Sequence, residues 1–164
     1  MLTDKMYAAL NDQIKHELYS AYLYLSMATY YADQNLDGFA HWMEVQAQEE
    51  VEHAMKIYKY IQERGNRVIL QQIDAPTTEF ENPTAPFAAA LKHEQYVTSL
   101  INNLYTLATE ENDYATQVFL QWFVTEQVEE EDNVGKALHL VEQLSGAPAG
   151  LILADKQLGK REEE

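Results

Sequence analysis

The chain has 164 residues, no cysteine, six glycines and four prolines, and its 27 acidic against 11 basic residues give a formal charge of −16. This length suits one domain with a sizeable core. The absence of cysteine excludes disulfides, cysteine-ligated metal sites and a thiol nucleophile. The negative charge argues against a nucleic-acid partner, because phosphates would be repelled. No apolar run approaches the roughly 20 residues of a membrane span, and the N-terminus lacks a signal-peptide pattern, so we expect a cytoplasmic protein.

Five segments show the apolar spacing of α-helices: about 4–33, 37–64, 84–111, 113–144 and 149–158. Thr3 and Asp113 are suitable N-caps for the first and fourth segments, and Gly65 is a suitable residue to end the second. Residues 65–83 have no helical period and contain two prolines, which indicates a long crossover connection.

Short connections join helices one and two and helices three and four, so each pair is expected to form an antiparallel hairpin. The long link between the pairs predicts an all-α antiparallel four-helix bundle with one crossover and a short fifth C-terminal helix, in a single domain over 1–164. The alternative is a plain up-down bundle with a flexible loop.

An internal repeat relates the two hairpins at an offset of 77 residues, the separation of Glu17 and Glu94. Residues 15–19, Lys-His-Glu-Leu-Tyr, match 92–96, Lys-His-Glu-Gln-Tyr, at four of five positions, and 49–53 match 126–130 at three of five. Any two amphipathic hairpins share apolar positions. This repeat also retains three pairs of acids: Glu17/Glu94, Glu49/Glu126 and Glu52/Glu129.

Helical spacing places a set of polar side chains toward the bundle centre, since residues three apart share one helix face. The set is Glu17 and Glu94 singly, Glu50-x-x-His53 from helix two and Gln127-x-x-Glu130 from helix four. Four unpaired carboxylates are costly to bury, and two divalent cations would neutralise them. Oxygen ligands with one imidazole suit iron or manganese better than zinc or copper, so the sequence predicts a dinuclear metal centre.

The chain resembles the non-haem ferritins of prokaryotes. The resemblance rests on 40–42 (Ala-His-Trp), 46–50 (Gln-Ala-Gln-Glu-Glu), His53-Ala54 and the run 122–131, and it covers almost the whole chain. It implies a ferritin-like fold and a hollow homo-oligomeric 24-subunit cage that oxidises Fe(II) and stores the Fe(III) mineral. The fifth helix would then pack around a cage symmetry axis or dock on its own subunit.

The resemblance also implies a ligand set for the two irons. Glu17, Glu50 and His53 match the ligands of the first ferroxidase iron. Glu50, Glu94 and Glu130 match those of the second, with Glu50 bridging the two.

Further roles come from the same resemblance. Gln127 matches a position that hydrogen-bonds near the second iron, and Tyr24 matches a tyrosine beside the centre, the alternative being an ordinary core tyrosine. A third iron site is implied for four carboxylates, which a solvated acidic face would also explain: Glu49, Glu126, Glu129 and the shared Glu130.

Several departures exclude related families. Bacterioferritins have a histidine where this chain has Glu130 and a haem-binding methionine where it has Val51, so we expect no haem. Rubrerythrins add a cysteine-rich domain, and the DNA-protecting mini-ferritins use ligands from two subunits. His16 and His93 each precede a predicted ligand by one residue, about 100° away around the helix, and are predicted to pack or hydrogen-bond rather than bind metal. His41 and His139 lack a carboxylate at i+3 or i+4 on the inward side and are predicted to be structural or surface residues.

The resemblance implies a ferroxidase and iron store that uses oxygen or peroxide as the electron acceptor. A di-iron oxidase or oxygenase acting on an organic substrate is the alternative, and a structural bundle without catalysis is a third. The charge pattern supports cation handling: from residue 94 to residue 134 there are nine acidic residues and no lysine or arginine. Such a stretch creates a negative field that concentrates cations.

Overall fold

The computed structural model describes residues 1–162, and within them it contains five α-helices and no strand. They are α1 (Asp4–Asp33), α2 (Asp37–Glu63), α3 (Ala85–Glu110), α4 (Tyr114–Leu144) and α5 (Pro148–Leu158). Each bound lies within one residue of the predicted one, and the predicted all-α fold class is confirmed. Within residues 1–162, no helix is both long and apolar enough to cross a membrane.

Local side-chain chemistry fixes the helix ends. The Thr3 hydroxyl accepts a hydrogen bond from the Met6 N–H at 3.1 Å, and the Asp113 carboxylate accepts one from the Thr116 N–H at 3.1 Å. Each bond satisfies one of the amide groups that a helix N-terminus leaves without a partner. After α2, Gly65 adopts a φ of 80°, a left-handed conformation that suits glycine.

The two hairpins turn in the same way. α1 packs along α2 and α3 along α4, and each pair is connected through an asparagine with positive φ, 57° at Asn35 and 56° at Asn112. Asparagine adopts this conformation more readily than most residues. These asparagines are separated by the same 77 residues as the sequence repeat, so the repeat includes the turns as well as the helices.

The apolar core is divided into two clusters along the bundle. One contains Tyr31, Phe39 and Phe87, and the other contains Leu10, Ile57 and Phe123. On every one of the four long helices, buried polar residues lie between the two clusters. The bundle centre is therefore a polar layer enclosed by apolar side chains at both ends.

The short helix α5 docks on its own chain and caps α2. Leu36 precedes α2 without a capping side chain, and Asp155 Oδ1 instead accepts hydrogen bonds from the Gly38 and Phe39 N–H groups at 2.8 and 3.1 Å. A Cβ at Gly38 would lie 1.8 Å from the Asp155 carbonyl oxygen, so only glycine fits this approach. Helix α5 contacts α2 and α4 of its own chain, and its packing around a cage symmetry axis stays a prediction.

Candidate metal centre

Six polar side chains from all four long helices meet in the central layer, and each is at most 4% exposed. They are Glu17 of α1, Glu50 and His53 of α2, Glu94 of α3, and Gln127 and Glu130 of α4. Helical spacing explains the pairs, because residues three apart on α2 and α4 project from one face.

A first compact group contains Glu17, Glu50 and His53, with one ligand atom from each lying within 4.8 Å of the others. His53 Nδ1 is 3.4 Å from Glu50 Oε2. Gln13 Nε2 donates to Glu17 Oε1 at 2.8 Å, while Glu17 Oε2 is buried without a hydrogen-bond partner. A buried carboxylate oxygen left without a donor is costly, and a cation at this point would satisfy it.

A second compact group contains His53, Glu126 and Glu130. His53 Nε2 lies 3.7 Å from Glu126 Oε1 and 4.0 Å from Glu130 Oε1, and Gln46 Nε2 donates to Glu130 Oε2 at 2.6 Å. The two imidazole nitrogens thus face different groups of carboxylates. Each nitrogen can ligate a metal only in its unprotonated form.

Glu94 belongs to neither compact group, and its carboxylate accepts hydrogen bonds from two donors. The Tyr24 hydroxyl donates to one oxygen, and Gln127 Nε2 donates to the other at 3.2 Å. The same Gln127 amide group lies 3.2 Å from Thr98 Oγ1, whose hydroxyl donates to Glu131 at 2.6 Å. A network from three helices therefore orients Glu94 within the polar layer.

Burial raises the pKa of all four central carboxyls. For Glu50 and Glu130 the neighbouring Glu94 charge adds to the effect, and the pKa of Glu130 reaches about 8. Burial and the charge of Glu94 likewise raise the pKa of Tyr24. Since a carboxyl binds a metal ion in its ionised form, metal ions compete with protons at these groups.

The pKa of His53 is also raised, which for an imidazole favours the charged form. Burial alone would lower its pKa, but hydrogen bonding to Glu126 and Glu50 outweighs burial and raises the pKa to about 11. The imidazole is consequently an imidazolium in the metal-free protein and neutralises part of the surrounding negative charge. The donor set, carboxylate oxygens with one imidazole, fits iron or manganese.

The residues expected at a third iron site are dispersed. Glu126 lies in the second compact group, but the Glu49 carboxylate pairs with Arg161 at 2.6 Å. Glu129 is exposed and belongs to neither group. The structure therefore does not bring Glu49, Glu126 and Glu129 together around one point.

The other histidines have non-metal contacts or lie at the surface. His93 Nε2 is 2.7 Å from Ser20 Oγ, and burial lowers the pKa of His93 to about 4. His16 packs edge-on against a tyrosine ring, His41 donates to the Arg161 carbonyl, and His139 is exposed. None of them belongs to a metal-competent group within the described chain.

Several residues that support the centre received no role from the sequence. Gln13 and Gln46 each precede a predicted ligand, Glu17 or Glu50, by four residues and therefore lie on the same helix face. That spacing is the signal that could have identified them. No comparable signal exists for the contact of Arg161, which is distant in sequence.

Several known proteins share this architecture. The family model of the ferritin-like domain matches residues 7–144 of the chain. The bacterial non-heme ferritin of Bacteroides fragilis strain 638R is 41% identical over 162 residues, covering 98% of this chain and all of the relative. That of Staphylococcus aureus strain USA300 is 38% identical over 161 residues, covering 98% and 97%. An open pore ferritin from Archaeoglobus fulgidus superposes with a TM-score of 0.96 at 44% identity, covering 99% of this chain and 100% of that one.

Proposed function

The chain belongs to the ferritin family, and we propose that it stores iron and oxidises Fe(II) to Fe(III) at an intra-subunit site for two iron ions. The observation that carries the proposal is the convergence of four buried carboxyls with raised pKa values and one imidazole in a single layer. Such a layer lowers the stability of an apolar core, because every buried carboxylate requires neutralisation. Bound divalent ions supply that neutralisation, and iron is then the substrate.

We propose the following ligands for the two substrate ions. Glu17, Glu50 and His53 bind the first, and Glu50, Glu94 and Glu130 bind the second, with Glu50 shared. The compact group of Glu17, Glu50 and His53 supports the first assignment. The charge of Glu94, which raises the pKa of both Glu50 and Glu130, supports placing these three around the second ion.

In the proposed reaction, two Fe(II) ions supply two electrons to one molecule of oxygen, which takes up two protons and becomes hydrogen peroxide. Peroxide can serve as the acceptor in place of oxygen. The carboxylates stabilise the rising charge on iron, while Tyr24 and Gln127 hold Glu94 and Gln46 holds Glu130. Hydrolysis of Fe(III) to ferric oxyhydroxide then releases protons. The site requires no haem.

The resemblance also supports a third iron site, for which we propose Glu126 and Glu130 with Glu49 and Glu129. Glu126 already lies near Glu130 through their common neighbour His53. Recruitment of Glu49 and Glu129 requires rearrangement, since Glu49 pairs with Arg161 and Glu129 is exposed.

The cage is part of the proposal and has its own test. Family membership supports a homo-oligomer of 24 subunits, and the same membership is the basis for proposing a cytoplasmic location. With a subunit of 18.9 kDa, gel filtration should show a particle of about 450 kDa. A monomer or dimer would count against iron storage.

An open cavity of about 710 Å³ lies beside His53. Acidic residues such as Glu52 and Glu126 line it together with the apolar side chains of Phe119 and Trp122. The acidic part can attract Fe(II) from solvent, which supports the iron ions as the substrate. An oxidase or oxygenase for an organic substrate is the second candidate, and an organic product formed in proportion to oxygen uptake would favour it over iron storage.

A double variant tests the oxidation site. Glu17→Ala together with Glu130→Ala removes one ligand of each proposed ion and should abolish rapid Fe(II) oxidation, followed by the absorbance of Fe(III) under air. Glu110→Ala with Glu142→Ala removes the same charge at exposed positions and should leave the rate unchanged. Equal rates in both double variants would exclude this site assignment.

A further inference from the structure

The C-terminal segment places a guanidinium group beside the metal centre. Arg161 Nη2 donates to Glu49 Oε2 at 2.6 Å, and Nη1 donates to the Trp42 carbonyl at 3.3 Å. The guanidinium carbon lies 4.2 Å from the Trp42 ring centroid, and His41 Nε2 donates to the Arg161 carbonyl at 2.8 Å. The Arg161 and Glu49 side chains are only 14% and 16% exposed. Four interactions therefore hold Arg161 in a defined, partly buried position.

Glu49 also belongs to the surroundings of the second compact group. It lines the same cavity as His53 and Glu126, and its charge contributes to the raised pKa of Glu130. The Glu49 carboxylate thus contacts the C-terminal segment while it neighbours the residues that can hold a metal. The guanidinium group occupies Glu49 Oε2, and its positive charge opposes the approach of a cation to the same carboxylate.

We propose that Arg161 is a positioning residue that competes with metal ions for Glu49. While Arg161 is paired with Glu49, the proposed third iron site has Glu126 and Glu130 but lacks the Glu49 ligand. When a metal ion displaces the guanidinium group, Glu49 joins the site. The inference rests on the proposed third iron site and adds a competitor to it.

Charge-assisted pairs of this geometry are strong, but partial exposure reduces their effect. Removing the competitor should therefore raise the affinity of one metal site by roughly tenfold. The first central ion should be unaffected, because its proposed ligands, Glu17, Glu50 and His53, include neither Glu49 nor Glu130, the residue that the third site shares with the second ion.

The test is calorimetric titration of the assembled, metal-free protein with Zn(II). Arg161→Ala should show one site tightened by roughly tenfold, and Arg161→Lys should show a smaller gain, because lysine keeps the charge but not the planar fork. Adding Glu49→Gln to Arg161→Ala should remove the gain. Lys160→Ala, which removes a positive charge from the neighbouring exposed position, should bind as the wild type does.

Three results would overturn the proposal: unchanged affinity in both Arg161 variants, an equal gain in Lys160→Ala, or a gain that persists without Glu49. Failure of the proposed function has a different signature. A wild-type protein that binds no pair of Zn(II) ions would contradict the central site itself. A wild-type protein that binds the pair, with no response to Arg161 replacement, would contradict only the competition.

Discussion

Replacing Glu130 with glutamine should stabilise the metal-free protein at pH 7, although it removes a proposed iron ligand. Burial and the charge of Glu94 raise the pKa of Glu130 from 4.5 to about 8. Between these pH values the folded protein binds more protons than the unfolded chain. The contribution of Glu130 to the free energy of unfolding is therefore fully present below pH 4.5 and is lost as pH rises toward 8. From pH 4.5 to pH 7, at about 1.4 kcal/mol per unit, Glu130 costs about 3 kcal/mol.

Glutamine avoids this cost, because it does not ionise and its side-chain oxygen can still accept the hydrogen bond from Gln46. Urea unfolding of the metal-free protein should show Glu130→Gln about 3 kcal/mol more stable at pH 7, with almost no difference at pH 4.5. The melting temperature at pH 7 should rise by about 6–12 °C. The exposed neighbour provides the control, and Glu129→Gln should change stability little at either pH. A less stable Glu130→Gln protein at pH 7, or a difference independent of pH, would contradict a raised pKa at Glu130.

Three further changes test other parts of the structure. Gly38→Ala places a methyl group against the Asp155 carbonyl and should lower the free energy of unfolding by about 3 kcal/mol, and an unchanged urea midpoint would contradict the close approach. Gln46→Leu removes the hydrogen-bond donor to Glu130 and should weaken Zn(II) binding by about tenfold to a hundredfold in calorimetry. Wild-type affinity in this variant would show that the Gln46 amide does not support metal binding. Phe39→Ala empties a fully buried position and should cost about 3–5 kcal/mol in urea unfolding, and a cost below 1 kcal/mol would show that this end of the core collapses readily.

Local signals account for how well the fold could be predicted. Thr3 and Asp113 begin helices because their side chains satisfy nearby amides, and these interactions span only three residues. The 77-residue repeat indicated two equivalent hairpins, and the positive φ at Asn35 and Asn112 extends that equivalence to the turns. The sequence did not indicate that Asp155 caps α2, because that contact joins residues more than a hundred positions apart.

The candidate site was predictable to the extent that helix geometry determines it. The spacing of Glu50 and His53 places both side chains toward the centre, where the structure shows them buried. Helix periodicity places a carboxylate in the central layer but does not determine which side chain it contacts in that layer. The assignment of Glu49 to a metal site stays a prediction, and in the structure its carboxylate pairs with Arg161, a residue of the C-terminal segment that helix spacing does not relate to it.

Anomalous diffraction at the iron edge, from crystals soaked with Fe(II) without oxygen, would locate the bound ions themselves. We predict two iron peaks inside each subunit, one beside Glu17 and His53 and one beside Glu94 and Glu130, with Glu50 bridging them. Iron peaks confined to the surface of the bundle, or a single interior peak without Glu50 as a ligand, would contradict this prediction.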